Sequence, residues 1–273
     1  MSAKSKNNNL GFHLTKWYLD FVGKDGTVVI CYAAQLGWNN YTVPYSNLLV
    51  HKPGESTIQK TSFKNAKSPL MTDGEISWRQ KAFKFSGIWK KLNASLEEVL
   101  YSSKDGSLEW KCHQPRSLVV LNIEDEKLTG EGYAEELYMT IPTWKIPMNE
   151  LRWGHFFSEN HCLVWIEIKE KDIKQWVWVN NDLVEGSTIT DSEVLIPSRN
   201  LKILMDQKEV LENDQKIKSV VRKLDRFLPG FAKIIPKNFL LADETKWYSR
   251  AKLYQDNDMI SKGQCIHEFV DFK

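Results

Sequence analysis

The sequence predicts an all-β protein in two similar halves, and three observations support this fold class. Short runs with period-two alternation recur along the 273 residues and are separated by turn residues. Aromatic residues, which favour strands, make up 12% of the chain. A run that contains a tryptophan is twice followed by a glycine-led run with an internal glutamate, from Trp110 to Glu135 and from Trp247 to Glu268. This repetition predicts a duplicated antiparallel β domain, either a sandwich or an up-and-down barrel.

The first half contains strand-like runs joined by turn signals. Residues 16–21 and 27–34 form the first predicted pair, with Asp25-Gly26 in the tight turn between them. In residues 107–113 apolar and polar side chains alternate, which is typical of a half-buried antiparallel strand. Further strands are expected near residues 43–50, 57–63, 75–86, 95–101, 117–123 and 133–141.

A proline-rich segment at residues 141–149 separates the two halves. Pro142 and Pro147 cannot donate a hydrogen bond to a sheet ladder. The predicted domains are therefore an N-terminal barrel at residues 1–142 and a C-terminal barrel at residues 148–273.

The second half adds one helix to its strands. In residues 214–228 apolar residues recur at helical spacing, Asn213 or Asp214 could cap the start, and Pro229-Gly230 ends the pattern. We expect this amphipathic helix to pack on the second β domain. Strands are expected near residues 151–157, 161–169, 174–180, 192–196, 199–205, 233–241, 246–254 and 263–272.

Composition excludes several classes of function. The formal net charge is +2 without a strongly basic block, which argues against nucleic acid as a partner. No apolar run approaches the roughly 20 residues of a membrane-spanning helix, and the polar residues 1–9 look disordered rather than like a signal peptide. Cys31, Cys112, Cys162 and Cys265 lack metal-type spacing and are expected to be core residues in a reducing cytoplasm. A cytoplasmic location is therefore expected.

Several blocks of the sequence resemble the hydroxyneurosporene synthase and AttH-like family. The resemblance implies two lipocalin-like β-barrels in tandem. It also implies uneven chemistry: some members hydrate a carotenoid double bond without a cofactor, related tandem barrels catalyse cyclisations, and many have no known activity. His155 stands where the family has a basic residue, often arginine. The matching blocks are Lys-Trp-Tyr-Leu-Asp-Phe at 16–21, Gly-Glu-Gly-Tyr-Ala-Glu-Glu-Leu at 130–137, Thr-Ile-Pro-Thr-Trp-Lys-Ile-Pro at 140–147, Glu-Leu-Arg-Trp-Gly-His-Phe-Phe-Ser at 150–158, Leu-Val-Trp-Ile-Glu at 163–167, Thr-Lys-Trp-Tyr-Ser-Arg at 245–250 and Ile-His-Glu-Phe-Val-Asp-Phe at 266–272.

Glu135, Glu167 and Glu268 are the sharpest chemical candidates, because each alternates onto an apolar or aromatic strand face. Burial inside a barrel would raise the pKa of such a carboxyl group, so that a neutral acid could donate a proton to an alkene near pH 7. The alternative is that these glutamates form ion pairs with Arg or Lys where the two domains meet, with Arg152 and Arg250 as possible partners, or that they lie on an outer face. Glu135 and Glu268 are the predicted catalytic residues.

The predicted ligand contacts come from the same blocks. They are Tyr133, Trp153, His155, Trp165, Glu167 and Trp247. Tryptophan faces could stabilise a carbocation formed by protonation. His155 and His161 lie six residues apart, but the chain has no H-x-H or H-E-x-x-H pattern. No metal site and no cofactor are therefore predicted.

The predicted function is the binding of an apolar or amphipathic small molecule, isoprenoid or polyketide-like. Cofactor-independent hydration, isomerisation or cyclisation by general-acid chemistry would make the protein a lyase or an isomerase. The alternative class is a non-catalytic lipophile carrier or a protein-interaction module. An enzyme needs a connected cavity lined by a carboxylate, whereas a filled barrel holds only layers of side chains.

Overall fold

The computed structural model describes residues 11–64, 66–213, 216–227 and 230–272. The ten strands of the first half are β1 (Phe12–Gly23), β2 (Val28–Trp38), β3 (Tyr41–His51), β4 (Ile58–Ser62), β5 (Leu70–Thr72), β6 (Glu75–Gln80), β7 (Phe85–Lys91), β8 (Leu96–Ser103), β9 (Gly106–Ile123) and β10 (Glu126–Met139). The nine strands of the second half are β11 (Glu150–Phe157), β12 (Cys162–Lys169), β13 (Ile173–Val179), β14 (Asp182–Val184), β15 (Thr188–Ile189), β16 (Glu193–Ile196), β17 (Leu201–Asn213), β18 (Asp243–Gln255) and β19 (Asp258–Asp271).

The two sheets have the same strand order. The first runs β4-β3-β2-β1-β10-β9-β7-β6-β5, with β8 paired to β9, and the second runs β14-β13-β12-β11-β19-β18-β17-β16-β15. In each sheet the first strand in chain order pairs antiparallel with the last, and this pair lies in the middle of the sheet. The predicted all-β fold with two antiparallel halves is confirmed. The segment between Met139 and Glu150 contains one 3₁₀ turn, Thr143–Lys145, and we keep the domain boundary there as a proposal.

The described residues form three large cores and one small cluster of Ala242, Val270 and Phe272. One large core consists only of first-half residues, including Trp17, Phe21 and Trp89, and another only of second-sheet residues, including Phe156 and Trp165. The third core combines the opposite faces of both sheets with side chains from the helical segment, and we call it the shared core. The shared core holds the two halves together, and it contains the candidate site.

Turn chemistry and alternation account for much of the local structure. Gly26 has a φ of 88° in the β1–β2 turn, and the Asp25 carboxylate accepts a hydrogen bond from the Thr27 N–H at 3.0 Å. The expected alternation in β9 is also observed, because Leu108, Trp110 and Cys112 are all buried. β9 continues without a break over residues where two strands were predicted.

The segment between β17 and β18 contains three helices, whereas one longer helix followed by a strand was predicted. Helix α1 spans Lys216–Leu224, and α2 (Phe231–Ile234) and α3 (Lys237–Leu240) occupy residues that were predicted as a strand. The strand prediction was wrong because a short apolar run fits a short helix as well as a strand. Here Ile235 and Phe239 pack on the shared core, and Ala242 packs with Val270 and Phe272. Helix α1 ends at Leu224, short of the end predicted from Pro229-Gly230. The predicted cap at Asp214 and the disorder of residues 1–9 lie outside the described residues.

Helix α1 packs in the shared core, not against the second sheet alone as predicted. Val221 and Leu224 are buried in that core. Just beyond the helix, the ring of Phe227 stacks on Phe63 of the first half at 5.3 Å. No helix within the described ranges is long and apolar enough to cross a membrane.

Candidate ligand site between the two sheets

A mainly apolar cavity of about 270 Å³ lies in the shared core beneath α1. One wall is the face of β1, β2 and β3 that turns toward the second half, and the other walls come from the inter-sheet segment, the helical segment and the start of β18. The lining residues are Phe12, Leu14, Lys16, Tyr32, Ala34, Leu36, Tyr45, Thr143, Trp144, Val220, Val221, Leu224, Ile235, Phe239 and Glu244.

Strand register orders the sheet wall from one end of the cavity to the other. Leu14 pairs with Leu36, and Lys16 pairs with Ala34. Tyr18, two residues beyond Lys16 on the same face, pairs with Tyr32. The wall therefore changes from apolar near Leu14 to polar near Tyr32.

A buried polar cluster lies behind Tyr32. Lys246 Nζ donates to the Tyr32 hydroxyl at 2.8 Å and lies 2.6 Å from Glu268 Oε2. The Tyr32 hydroxyl donates to Glu212 Oε2 at 3.2 Å, and Gln59 Nε2 donates to the other Glu212 oxygen at 3.1 Å. Tyr32 and Gln59 belong to the first sheet and the other three residues to the second, so this cluster connects the two halves.

Charge is stable inside this cluster because opposite charges face one another. Burial alone would lower the pKa of Lys246, but the Glu268 and Glu212 carboxylates raise it above its usual value. Burial alone would raise the pKa of Glu268, but Lys246 holds it below its usual value. Burial and the Glu212 carboxylate raise the pKa of Tyr32 well above its usual value. Lys246 and Glu268 are therefore a charged pair at neutral pH, and Tyr32 keeps its proton.

Glu135 has a different environment. Its Oε2 accepts hydrogen bonds from Trp110 Nε1 at 2.5 Å, the Tyr133 hydroxyl at 2.6 Å and Trp153 Nε1 at 3.1 Å. These three donors are neutral, and burial raises the pKa of Glu135 above its usual value. Glu135 is thus a buried carboxyl group whose surroundings favour the protonated form more than water does.

Trp153 connects the Glu135 group to the Lys246 cluster. Its indole N–H bonds Glu135, while its ring lies 5.8 Å from Lys246 Nζ. The Tyr18 ring packs edge-on against Trp153 at 4.9 Å and also lies 5.2 Å from Lys246 Nζ. Aromatic faces therefore surround the buried ammonium group.

A second contact between the sheets lies on the other side of Tyr133. His155 Nε2 is 2.7 Å from Asp20 Oδ2, and both side chains are fully buried. Asp20 Oδ1 accepts the backbone N–H of Tyr133 at 2.9 Å, and the Tyr133 ring stacks on His155 at 4.5 Å. Tyr133, Glu135, Trp153 and His155, four of the predicted site residues, are therefore neighbours.

The other predicted site residues lie elsewhere, except Glu268, which joins the group through Lys246. Trp165 is in the second sheet's own core. Its ring lies so close to Gly154 that a side chain at that position would clash with it. Trp247 stacks on His267 at 5.0 Å. None of the eight predicted residues is among the described residues that line the cavity.

Glu167 forms the structural ion pair that was the alternative for the three candidate glutamates. Arg152 Nη1 lies 3.3 Å from Glu167 Oε1, and Gln175 Nε2 donates to the other oxygen at 2.5 Å. The cation beside Glu268 is Lys246, a lysine partner as that alternative allowed, although Arg152 and Arg250 were the residues named for it.

Sequence reasoning missed Lys16, Tyr32, Glu244 and Lys246. A signal for the first-sheet residues was present, because Lys16, Tyr18 and Asp20 alternate with Trp17, Leu19 and Phe21 in one strand. Both faces of β1 are covered by other parts of the protein. The face that carries Lys16, Tyr18 and Asp20 is the one that meets the second half. In β18, Glu244 and Lys246 follow the same period.

The four cysteines are free and buried. Burial raises the pKa of the Cys31, Cys112, Cys162 and Cys265 thiols, which keeps them protonated. Within the described ranges no group of three or more His, Cys, Asp or Glu residues could hold a metal ion.

No family model and no curated protein matches the chain. Among solved structures, it is similar to an AttH-like protein from Nitrosomonas europaea, with a TM-score of 0.54 and 12% identity over 100% of this chain and 98% of that chain. The fold is a tandem lipocalin-like fold. The chain is also similar to CghA in a structure with Sch210972, with a TM-score of 0.51 and 7% identity over 99% of this chain and 93% of that chain. At these identities the similarity establishes the lipocalin-like fold, as the sequence resemblance implied.

Proposed function

We propose that this protein binds an apolar or amphipathic small molecule in the cavity between its two sheets. The observation that carries the proposal is the cavity itself, a mainly apolar gap of about 270 Å³ in the shared core. Small-molecule sites are typically concave, mostly apolar and supplied with a few polar groups. Lys16, Tyr32 and Glu244 supply those groups here.

The fold supports this assignment. CghA, which has the same tandem fold, was solved with Sch210972. The family resemblance favours an isoprenoid or polyketide-like compound as ligand. The cavity favours a ligand-binding protein over a pure protein-interaction module, because such a module needs no internal site.

Filling the cavity tests the proposal. Ala34 lines the cavity, whereas Gln35, the next residue of the same strand, is exposed on the other face. Ala34→Phe should weaken binding of the apolar fluorophore Nile red at least about tenfold, a change of roughly 1.4 kcal/mol. Gln35→Phe introduces the same side chain outside the cavity and should leave binding unchanged. Equal affinity for the two variants would place the site elsewhere.

Acid catalysis is a second candidate function, and the environment of Glu135 favours it. Burial raises the pKa of Glu135, and its three hydrogen-bond donors are neutral. A protonated carboxyl group beside tryptophan faces could protonate a ligand double bond in hydration, isomerisation or cyclisation. Glu268 was the other predicted acid, but its pair with Lys246 favours an ionised, structural role.

The catalytic proposal needs a ligand that reaches Glu135, since Glu244 is the carboxylate that lines the cavity. Native mass spectrometry of the purified protein should reveal a co-purified lipophile and supply the compound to test. If Glu135 is a general acid, Glu135→Gln should lower turnover of that compound about 10²–10⁴-fold while binding is retained. Unchanged turnover in the variant would exclude Glu135 as the acid, and absence of turnover by the wild-type protein would leave the protein as a carrier.

A further inference from the structure

Three cavities meet at Trp144. The cavity of about 270 Å³ in the shared core, which we call the shared-core cavity, has two neighbours. One of about 460 Å³ lies beside the β2–β3 turn, and one of about 240 Å³ lies between the inter-sheet segment and α3. Phe12 also lines the larger neighbour, and Phe239 also lines the smaller one. Within the part of the chain that the structure describes, Trp144 is the one residue that lines all three.

The ring of Trp144 lies between two other aromatic rings. It packs edge-on against Phe12 with 6.2 Å between the ring centroids, and edge-on against Phe239 at 5.8 Å. Phe12 belongs to the boundary with the larger neighbour, and Phe239 to the boundary with the smaller one. The three side chains therefore form an aromatic wall between the shared-core cavity and its neighbours, with Trp144 in the middle.

The inter-sheet segment holds Trp144 in place. This residue lies in the 3₁₀ turn that begins at Thr143, and the Ile146 N–H donates to the Thr143 carbonyl at 3.0 Å. Ile141 and Ile146, one on each side of the turn, are buried in the shared core. Pro142 further restricts the backbone, because its ring fixes φ. Trp144 is therefore anchored on both sides and forms a fixed wall.

The space on the near side of this wall is short. A methylene group is about as large as a water molecule, whose share of liquid volume is about 30 Å³, so 270 Å³ corresponds to about nine such groups. Phe12 and Lys16 both line the cavity and lie about 14 Å apart along β1, a comparable length. A longer ligand would have to pass Trp144 or leave part of its chain in water.

We propose, on the basis of the proposed binding function, that Trp144 determines ligand specificity by limiting ligand length. The ligand class is an apolar molecule with a chain of about ten carbons, or a ring system of that volume. The aromatic wall excludes long polyenes. Phe12 and Phe239 support Trp144 in this role through their ring contacts.

Calorimetric titration with n-alkanols from hexanol to tetradecanol tests this proposal. Each methylene that enters an apolar cavity should raise affinity about fourfold. For the wild-type protein the affinity should rise at this rate to about decanol and then stop rising. In Trp144→Ala the rise should continue, because the chain can extend into the neighbouring cavities. The ratio of tetradecanol affinity to decanol affinity should be at least about tenfold higher in Trp144→Ala than in wild type.

Trp38→Ala is the matched control. Trp38 packs against Phe12 at 6.1 Å and lines the larger neighbouring cavity, but it is not among the described residues that line the shared-core cavity. The same substitution there enlarges the neighbour without opening the wall, so the affinity ratio should stay at the wild-type value. Trp144→Leu keeps an apolar side chain in the turn. It should raise the ratio less than Trp144→Ala, and it carries the same test if the alanine variant does not fold.

The outcomes separate this inference from the proposed function. A wild-type affinity that still rises from decanol to tetradecanol would overturn the length limit, with no variant needed. An unchanged ratio in Trp144→Ala, or an equal increase in Trp38→Ala, would overturn the role of Trp144. If Ala34→Phe weakens Nile red binding but no n-alkanol binds, the length limit is wrong and the proposed function stands. If no n-alkanol binds and Ala34→Phe leaves Nile red binding unchanged, the proposed function itself is wrong.

Discussion

Asp20 of the first sheet and His155 of the second share a hydrogen bond of 2.7 Å, and water reaches neither side chain. The backbone N–H of Tyr133 donates to the second Asp20 oxygen at 2.9 Å. Trp89 Nε1 donates to the Asp20 backbone carbonyl at 2.7 Å. One residue of β1 thus fixes β10, β7 and β11 relative to one another, at the point where the two halves meet.

Asp20→Ala should destabilise the whole protein. The change leaves the His155 N–H and the Tyr133 N–H buried without their acceptor, which typically costs about 3–5 kcal/mol of unfolding free energy when a charged partner is lost. Asp172→Ala removes a carboxylate from an exposed loop and should cost less than about 0.5 kcal/mol. Urea unfolding monitored by tryptophan fluorescence measures both. Similar midpoints for the two variants would show that the contact contributes little.

Local pattern predicted the fold well, because alternation and turn chemistry act over a few residues. The β1–β2 turn at Asp25-Gly26 and the buried face of Leu108, Trp110 and Cys112 were both recovered. The strand expected at residues 233–241 failed because a short apolar run fits a buried helix as well as a strand.

The candidate site was only partly predictable, since its contacts join residues that are far apart in sequence. Alternation placed Glu135 on a buried face, but could not show that its partners would be indole and phenol groups. Nothing near Tyr32 in the chain indicates that Lys246, more than 200 residues away, donates to its hydroxyl. The cavity also depends on how the two halves pack, because α1 and β18 of the second half contribute to its other walls, and period-two patterns do not encode that packing.

Glu135 and Glu268 should respond in opposite ways to replacement by glutamine. Glu268→Gln leaves Lys246 without the carboxylate 2.6 Å away and should cost about 3 kcal/mol of unfolding free energy. In Glu135→Gln the amide oxygen can still accept from the indole and phenol donors, and the cost of burying a charge disappears. Stability should therefore be unchanged or higher. Glu126→Gln, which breaks an exposed pair with Lys52, should cost less than about 1 kcal/mol.

The pH dependence of the Glu135 variant has a definite sign. Because the folded-state pKa of Glu135 is raised, the folded protein binds its proton more tightly than the unfolded chain does. That contribution to stability is present below the ordinary pKa of 4.5 and is lost as pH rises through the folded-state pKa. The stability of Glu135→Gln relative to wild type should therefore increase with pH. A constant difference would mean that Glu135 titrates normally.

Leu224→Asp should disrupt the helical wall of the cavity. Leu224 is buried in the shared core and lines the cavity, so an aspartate there would place an unpaired charge among apolar side chains. We expect a loss of roughly 3 kcal/mol and weaker Nile red binding. Lys223→Asp, one residue earlier and exposed, should have a much smaller effect on both. If Leu224→Asp keeps the wild-type melting temperature and affinity, α1 does not close the cavity in solution.

His267 should make the protein less stable in mild acid. Burial, helped by Lys208 and His155, lowers the pKa of His267 from 6.5 to about 3. Its Nε2 is 2.9 Å from Ser249 Oγ, and its ring stacks on Trp247, so the neutral ring fits its site. Because the unfolded chain takes up the proton more readily, stability is complete above the unfolded-state pKa and falls as pH decreases toward the folded-state pKa. The loss from this residue should reach about 2 kcal/mol near pH 5.

His267→Gln removes the titrating group, so the unfolding free energy of this variant should fall less than that of wild type between neutral pH and about pH 5. His161→Gln replaces a partly exposed loop histidine whose pKa burial also lowers, so it should remove a smaller part of the wild-type slope. A His267→Gln profile parallel to wild type would show that other groups cause the acid sensitivity.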